Sequence, residues 1–129
     1  MIPEWQSRTA TVLGEEAVAR LGAAHVTVVG VGGVGGYAAE ILVRSGVGRI
    51  TVIDADCVAE SNINRQLIAT AQDVGSPKVE LFADRFRAIN PGIEVHAVRQ
   101  FVTPENVAEL IPADSDFVID AIDTVSAKL

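Results

Sequence analysis

Residues 26–54 read VTVVGVGGVGGYAAEILVRSGVGRITVID, and this stretch decides the fold. Val26 to Gly30 is a β-branched run that ends in glycine, Tyr37 to Ser45 is helix-forming, and Arg49 to Asp54 is a second β-branched run. Strand, glycine turn, helix and strand is therefore the predicted order. Within the turn, Gly30-Val31-Gly32-Gly33-Val34-Gly35 sets Gly30, Gly32 and Gly35 at the G-x-G-x-x-G spacing, and Gly33 and Gly36 add further room. Such a loop lets backbone N–H groups approach phosphate oxygens, while the helix behind it presents the partial positive charge of its amino terminus. The spacing alone is a weak signal. It gains weight from its place between a strand and a helix, and from Asp54, 19 residues after Gly35, where a carboxylate accepts hydrogen bonds from ribose hydroxyls.

Outward from this stretch the pattern repeats. Gly14 to Gly22 carries apolar residues at helical spacing, with Glu15 and Glu16 in its first turn, and reads as a short helix. Ser76-Pro77-Lys78 has a capping residue followed by proline, and Val79, Phe82, Ala83, Phe86 and Ile89 form one stripe behind it. Asn90-Pro91-Gly92 ends that helix, Ile93 to Val98 is the third strand, and Thr103-Pro104-Glu105 opens a short helix through Leu110. Asp116 to Ala121 is the fourth strand. The order implies an α/β fold: a Rossmann-like parallel sheet with helices on both faces, the amino-terminal half of a doubly wound domain. Residues 1–24 form an amino-terminal arm and 25–129 the core. A helix should follow the fourth strand, so the chain is expected to be an amino-terminal portion of a longer domain.

The bulk properties bound the function. At 129 residues, 49% of them hydrophobic, the chain has room for one core and no second domain. Its apolar runs are far shorter than the ~20 residues that span a bilayer. The start, Met1-Ile2-Pro3-Glu4-Trp5, lacks the features of an export signal, so a cytoplasmic protein away from membranes is expected. A net charge of −7 argues against a surface dominated by nucleic-acid backbone contacts, yet leaves RNA open as a substrate reached through a local basic patch. Cys57 is the sole cysteine, and His25 and His96 lack ligand-like spacing, so a protein-built zinc site is not expected. Cys57 reads as a small buried filler, and Trp5 as a packing residue near a subunit interface.

A Rossmann loop by itself suggests NAD, but the chain holds more than a dinucleotide needs. The polar segment from Asp56 to Gln66 includes Asn62 and Arg65, bringing a cation and several amides to the carboxyl end of the sheet. Lys78 opens the next helix at the same edge. Two converging cations suit a triphosphate, whose charge must be matched during attack at the α-phosphorus. The candidate cofactor-binding set is Gly30, Gly32, Gly33, Gly35, Asp54, Asp56, Asn62, Arg65, Gln66 and Lys78. Asp120 and Asp123 end the fourth strand as a D-x-x-D pair. Either could hold Mg²⁺, with Asp123 the favoured metal residue and Asp120 equally suited to capping the next turn.

The succession GVGGVGG, VIDADCV, ESNINRQ, GSPK and DAID resembles the ThiF/MoeB family, which includes the activating enzymes of ubiquitin-like proteins. The resemblance implies that the glycine loop and Asp54 bind ATP, that Arg65 and Lys78 contact its phosphates, and that Asp123 serves Mg²⁺. It also implies a homodimer in which Arg8 reaches the partner's nucleotide, making Arg65, Lys78 and Arg8 the catalytic set. Within the family, SRTATVLGEE, FVTPENVAEL and VIDAIDTVSAK are most similar to the tRNA threonylcarbamoyladenosine dehydratase branch. There the carboxylate of the modified adenosine is adenylated and then cyclises with loss of water. One departure is Asp123-Thr124 where the family commonly has D-N, which loosens the link to the sulfur-carrier branch. The implied activity is ATP-dependent adenylation of a carboxylate, on modified tRNA or on the carboxyl terminus of a ubiquitin-like sulfur-carrier protein. An NAD-dependent oxidoreductase and a non-catalytic nucleotide-binding module are the alternatives.

Overall fold

The computed structural model describes residues 2–122; Asp123 and the six residues after it lie outside the described residues. Four strands, β1 (His25–Val29), β2 (Arg49–Ile53), β3 (Glu94–Val98) and β4 (Phe117–Asp120), form one parallel sheet in the order β3-β2-β1-β4. The chain moves outward from β1 through β2 to β3, then crosses back to place β4 on the other side of β1. Ligands of open parallel sheets bind outside the carboxyl ends of the strands at such a reversal.

Alternation along the central strands divides the core between two faces. Val26, Val28, Ile50 and Val52 point to the face covered by α3 (Gly33–Ser45) and α4 (Lys78–Ile89), where Ala39, Val43, Val79, Phe82 and Phe86 meet them. Phe82 and Phe86 are fully buried with ring centroids 5.4 Å apart, and each contributes about 1.5–3 kcal/mol by leaving water. Val29 and Ile53 point to the opposite face, where Val102 is buried with them and Val107 and Leu110 of α5 (Val107–Leu110) pack alongside. Helices therefore lie on both faces, as the strand–helix alternation implies.

The helix expected from Gly14 to Gly22 is present as α2 (Glu15–Ala23); a further helix, α1 (Ser7–Leu13), precedes it, and the two meet at Gly14 with φ 91°, a conformation that favours glycine. Two local expectations are corrected. The helix expected from Tyr37 begins at Gly33, inside the glycine motif, with Gly32 as its cap. Ser76 does not cap α4: Pro77 holds the cap position with φ −62° and ψ 128°, and no side chain closes that end. The Thr103-Pro104 signature does mark a helix start. Thr103 Oγ1 accepts from the Asn106 N–H at 3.3 Å and Asn106 Oδ1 accepts from the Thr103 N–H at 2.7 Å, and regular helix begins one residue later at Val107.

Among the described residues, no helix is long and apolar enough to cross a membrane.

Candidate nucleotide-binding site

The glycine motif is built by close approach. A Cβ on Gly35 would lie 1.7 Å from the Gly30 carbonyl oxygen, and one on Gly36 would lie 2.8 Å from the Phe82 ring. Glycine at these two positions lets α3 press its first turn against the end of β1 and against α4. A helix leaves its first N–H groups without internal partners, and here that open end, at Gly33, faces the space beyond β1. Gly30, at φ 91°, makes the turn itself.

Asp54 ties this loop to the next strand. Its Oδ2 accepts the Val31 N–H at 2.9 Å and its Oδ1 accepts the Asp56 N–H at 2.8 Å. Past Asp54, residues 56–58 run against 75–78: the Lys78 N–H donates to the Asp56 carbonyl, the Val58 N–H to the Ser76 carbonyl and the Gly75 N–H to the Val58 carbonyl. Cys57 and Pro77 form an antiparallel bridge between them. This pairing delivers Lys78 to the same space as Asp54 and Asp56. Arg65 is held from behind, donating through Nη1 to the Ser61 carbonyl and to Asn64 Oδ1, both at 2.9 Å. Asn62 Oδ1 accepts the Ala59 N–H at 2.8 Å and so fixes the turn that carries Arg65.

These elements enclose a cavity of about 530 Å³. Gly30, Gly32, Gly33, Asp54, Asp56, Asn62, Arg65, Gln66 and Lys78 all line it, so nine of the ten residues expected to bind the cofactor converge. Gly35 is the exception. It is buried and packs helix on strand rather than facing the cavity. Arg8 lies on α1, exposed, and does not line the cavity of its own chain; Asp123 falls outside the described residues. Asp120, the other member of the pair, accepts the Ile122 N–H on Oδ1 at 3.1 Å, a local turn bond. Cys57 is half-buried rather than filling the core, with its Sγ accepting from Arg99 Nη2 at 3.2 Å.

The cavity lining has two characters. Lys78 is 4% exposed, and among the described residues its ammonium, which borders the cavity, has no ion-pair partner and is available to an anion there. Gln66 Oε1 is likewise buried without a hydrogen bond among those residues. With Arg65 and the α3 amino terminus, these groups suit phosphates. The wall on the α5 face of the sheet is apolar: Val29, Ile53, Val102 and Ile122 of one cluster line it, and Gln100, Phe101 and Ala121 also border the cavity. Sequence reasoning did not single out these residues of the β3 and β4 ends. The rule that such sheets bind ligands at their carboxyl edge pointed to them, but nothing in their composition did.

A cavity lined by cations, a carboxylate and an apolar wall has the chemistry a nucleotide site needs. Comparison with known proteins gives the family. The model of the ThiF family matches residues 6–129. The chain is 48% identical over 127 residues to a tRNA threonylcarbamoyladenosine dehydratase of Escherichia coli, covering 96% of this chain and 47% of that protein. It is 41% identical over 116 residues to a sulfur carrier protein adenylyltransferase of Thermus thermophilus, covering 90% of this chain and 42% of that one. The crystal structure of the E. coli dehydratase, TcdA, in complex with ATP superposes with a TM-score of 0.93 at 47% identity, over 99% of this chain and 54% of that one. The chain thus spans about half the length of the curated relatives it matches.

Proposed function

The chain belongs to the ThiF family, and from that premise we propose that it binds ATP in the glycine-loop cavity and adenylates a carboxylate. The observation that carries the proposal is the buried Lys78, set with Arg65 on the same cavity as the glycine loop and Asp54. NAD gives this pair of cations no shared task. A triphosphate does.

In the proposed reaction a carboxylate oxygen of the substrate attacks the α-phosphorus, the α–β bridging P–O bond breaks and pyrophosphate leaves, giving an acyl-adenylate. A carboxylate is already ionised near neutral pH, so no general base is needed. What the protein supplies is placement and charge. Asp54, anchored to the loop through Val31, accepts from the ribose; Lys78 and Arg65 neutralise the charge that accumulates on the departing pyrophosphate. Arg8 of the partner subunit adds a third cation in a homodimer. An apolar stripe on α3 supports such pairing: Val34 lines the cavity, and Val34, Tyr37 and Ile41 continue along one exposed face. Asp123 is the residue proposed for Mg²⁺, which would screen the phosphate charge through oxygen ligands and water. Among the described residues no three acidic, histidine or cysteine side chains cluster to hold a metal.

The proposed substrate is threonylcarbamoyladenosine in tRNA, whose adenylated carboxylate then cyclises and expels AMP. The support is the identity to the bacterial dehydratases of Escherichia coli, Haemophilus influenzae and Bacillus subtilis, 48%, 43% and 46%, against 41% to the sulfur carrier protein adenylyltransferase. The second reading, adenylation of a sulfur carrier's carboxyl terminus, stands on the latter relative. Pyrophosphate exchange into ATP separates them. Exchange stimulated by tRNA bearing the modified adenosine supports the first reading, and exchange stimulated only by the carrier overturns it in favour of the second. Exchange with neither removes the enzyme reading.

A further inference from the structure

Phe101 lines the cavity yet the residue stays 59% exposed. It belongs to neither buried cluster, so the fold gains little from it. Its loop, in contrast, is firmly set. The next residue, Val102, is buried with Val29 and Ile53, and Asn106 braces the backbone from the other side. Asn106 Nδ2 donates to the Phe101 carbonyl at 2.9 Å, and its Oδ1 accepts the Thr103 N–H at 2.7 Å. A large flat apolar side chain is thus presented on a pre-ordered backbone, next to Val102 of the cavity's apolar wall.

Phosphates have no use for such a surface, whereas a nucleobase does. Every base has a π-face, and losing an aromatic stacking partner weakens binding by about 5- to 150-fold per base. Building on the ATP reading, we propose that Phe101 is the stacking platform for a purine base against the apolar wall of the cavity. The purine can come from ATP or from the adenosine of an RNA substrate, and the chemistry at Phe101 is the same.

The test compares wild type, Phe101→Ala and Phe101→Trp in the full chain, with ATP and inorganic triphosphate titrated by calorimetry and KM measured for tRNA bearing the modified adenosine. The expected result is that Phe101→Ala weakens ATP about tenfold or more, leaves triphosphate unchanged and is rescued by Trp. If ATP is unaffected but the KM for tRNA rises by that factor and Trp restores it, the stacked base is the substrate's and the proposal stands. Unchanged behaviour toward both ligands overturns it, as does equal weakening of ATP and triphosphate. A wild-type chain that binds neither nucleotide nor triphosphate overturns the ATP reading and this inference together. Because the ring is exposed, unfolding curves of the variants should overlay that of wild type.

Discussion

Glu40 of α3 accepts two hydrogen bonds from the Arg85 guanidinium of α4, Nε to Oε1 and Nη2 to Oε2. The two helices it joins are those whose first turns carry the glycine loop and Lys78, so this ion pair ties together the two elements that border the cationic side of the cavity. Arg85 holds the Glu40 carboxyl below its ordinary value of 4.5 against the opposing effect of burial, and Arg44 adds to the lowering. A carboxyl held low stabilises the fold fully above its unfolded value and loses that contribution as pH falls through the folded one.

Glu40→Gln is therefore expected to cost about 1–2 kcal/mol at pH 7, limited by the solvent reaching Arg85. The gap between wild type and variant should close as pH falls below 4.5. Denaturant unfolding at neutral and acid pH checks both. A gap that persists unchanged in acid means the carboxylate is not what stabilises the helix pair.

Two glycines of one motif should part company. A methyl group on Gly33 meets nothing within 4 Å, while one on Gly35 meets the Gly30 carbonyl oxygen at 1.7 Å. Gly33→Ala should fold normally, gaining up to about 1 kcal/mol from helix propensity. It should still weaken ATP about tenfold or more, because the methyl faces the cavity. Gly35→Ala should lose more than about 4 kcal/mol and fold poorly. Thermal unfolding and ATP titration of the pair measure this, and normal ATP affinity in Gly33→Ala would remove the loop from the phosphate site.

Lys78 borders the cavity, and among the described residues its ammonium has no ion-pair partner. Lys78→Met keeps most of the volume and removes the charge, so it should leave the unliganded fold as stable as wild type or slightly more so. Pyrophosphate exchange should fall about 100-fold or more, the scale expected for losing a charge that stabilises a transition state. Loss of stability alongside activity would mean that Lys78 is structural.

Much of the sheet was legible in the sequence because β1 and β2 are continuous β-branched runs, the mark of strands buried on both faces. The phosphate half of the site was legible for a related reason: glycines, cations and amides stood in order at the ends of those runs. Other features left no local trace. Helix α1 buries none of its residues and includes Thr9, Thr11 and Val12, so it shows neither an apolar stripe nor strong propensity. The start of α3 was hidden by its glycines, which disfavour a helix yet are required there by the contacts with Gly30 and Phe82. His25 and His96 stand 71 positions apart in the chain, but the register of the strands brings their rings to 6.3 Å.

His25 itself is a buried junction that only the fold reveals. Its Nε2 lies 2.7 Å from Thr51 Oγ1 and its Nδ1 lies 3.2 Å from Asp114 Oδ1, joining β1 to β2 and to the loop before β4. His25→Phe keeps the volume but leaves the Thr51 hydroxyl unpaired, and should cost about 1–3 kcal/mol. ATP affinity should be unchanged, because this junction lies at the opposite end of the strands from the cavity. Unfolding and ATP titration of the one variant check both halves of this prediction.

The central claim, that the glycine loop serves a triphosphate rather than a dinucleotide, is tested most directly by titrating ATP with Mg²⁺ and NAD side by side into wild type and Arg65→Ala. The account predicts that ATP binds more tightly than NAD and that Arg65→Ala weakens ATP about tenfold or more while scarcely touching NAD. Tighter binding of NAD, with neither ligand sensitive to Arg65, would contradict it.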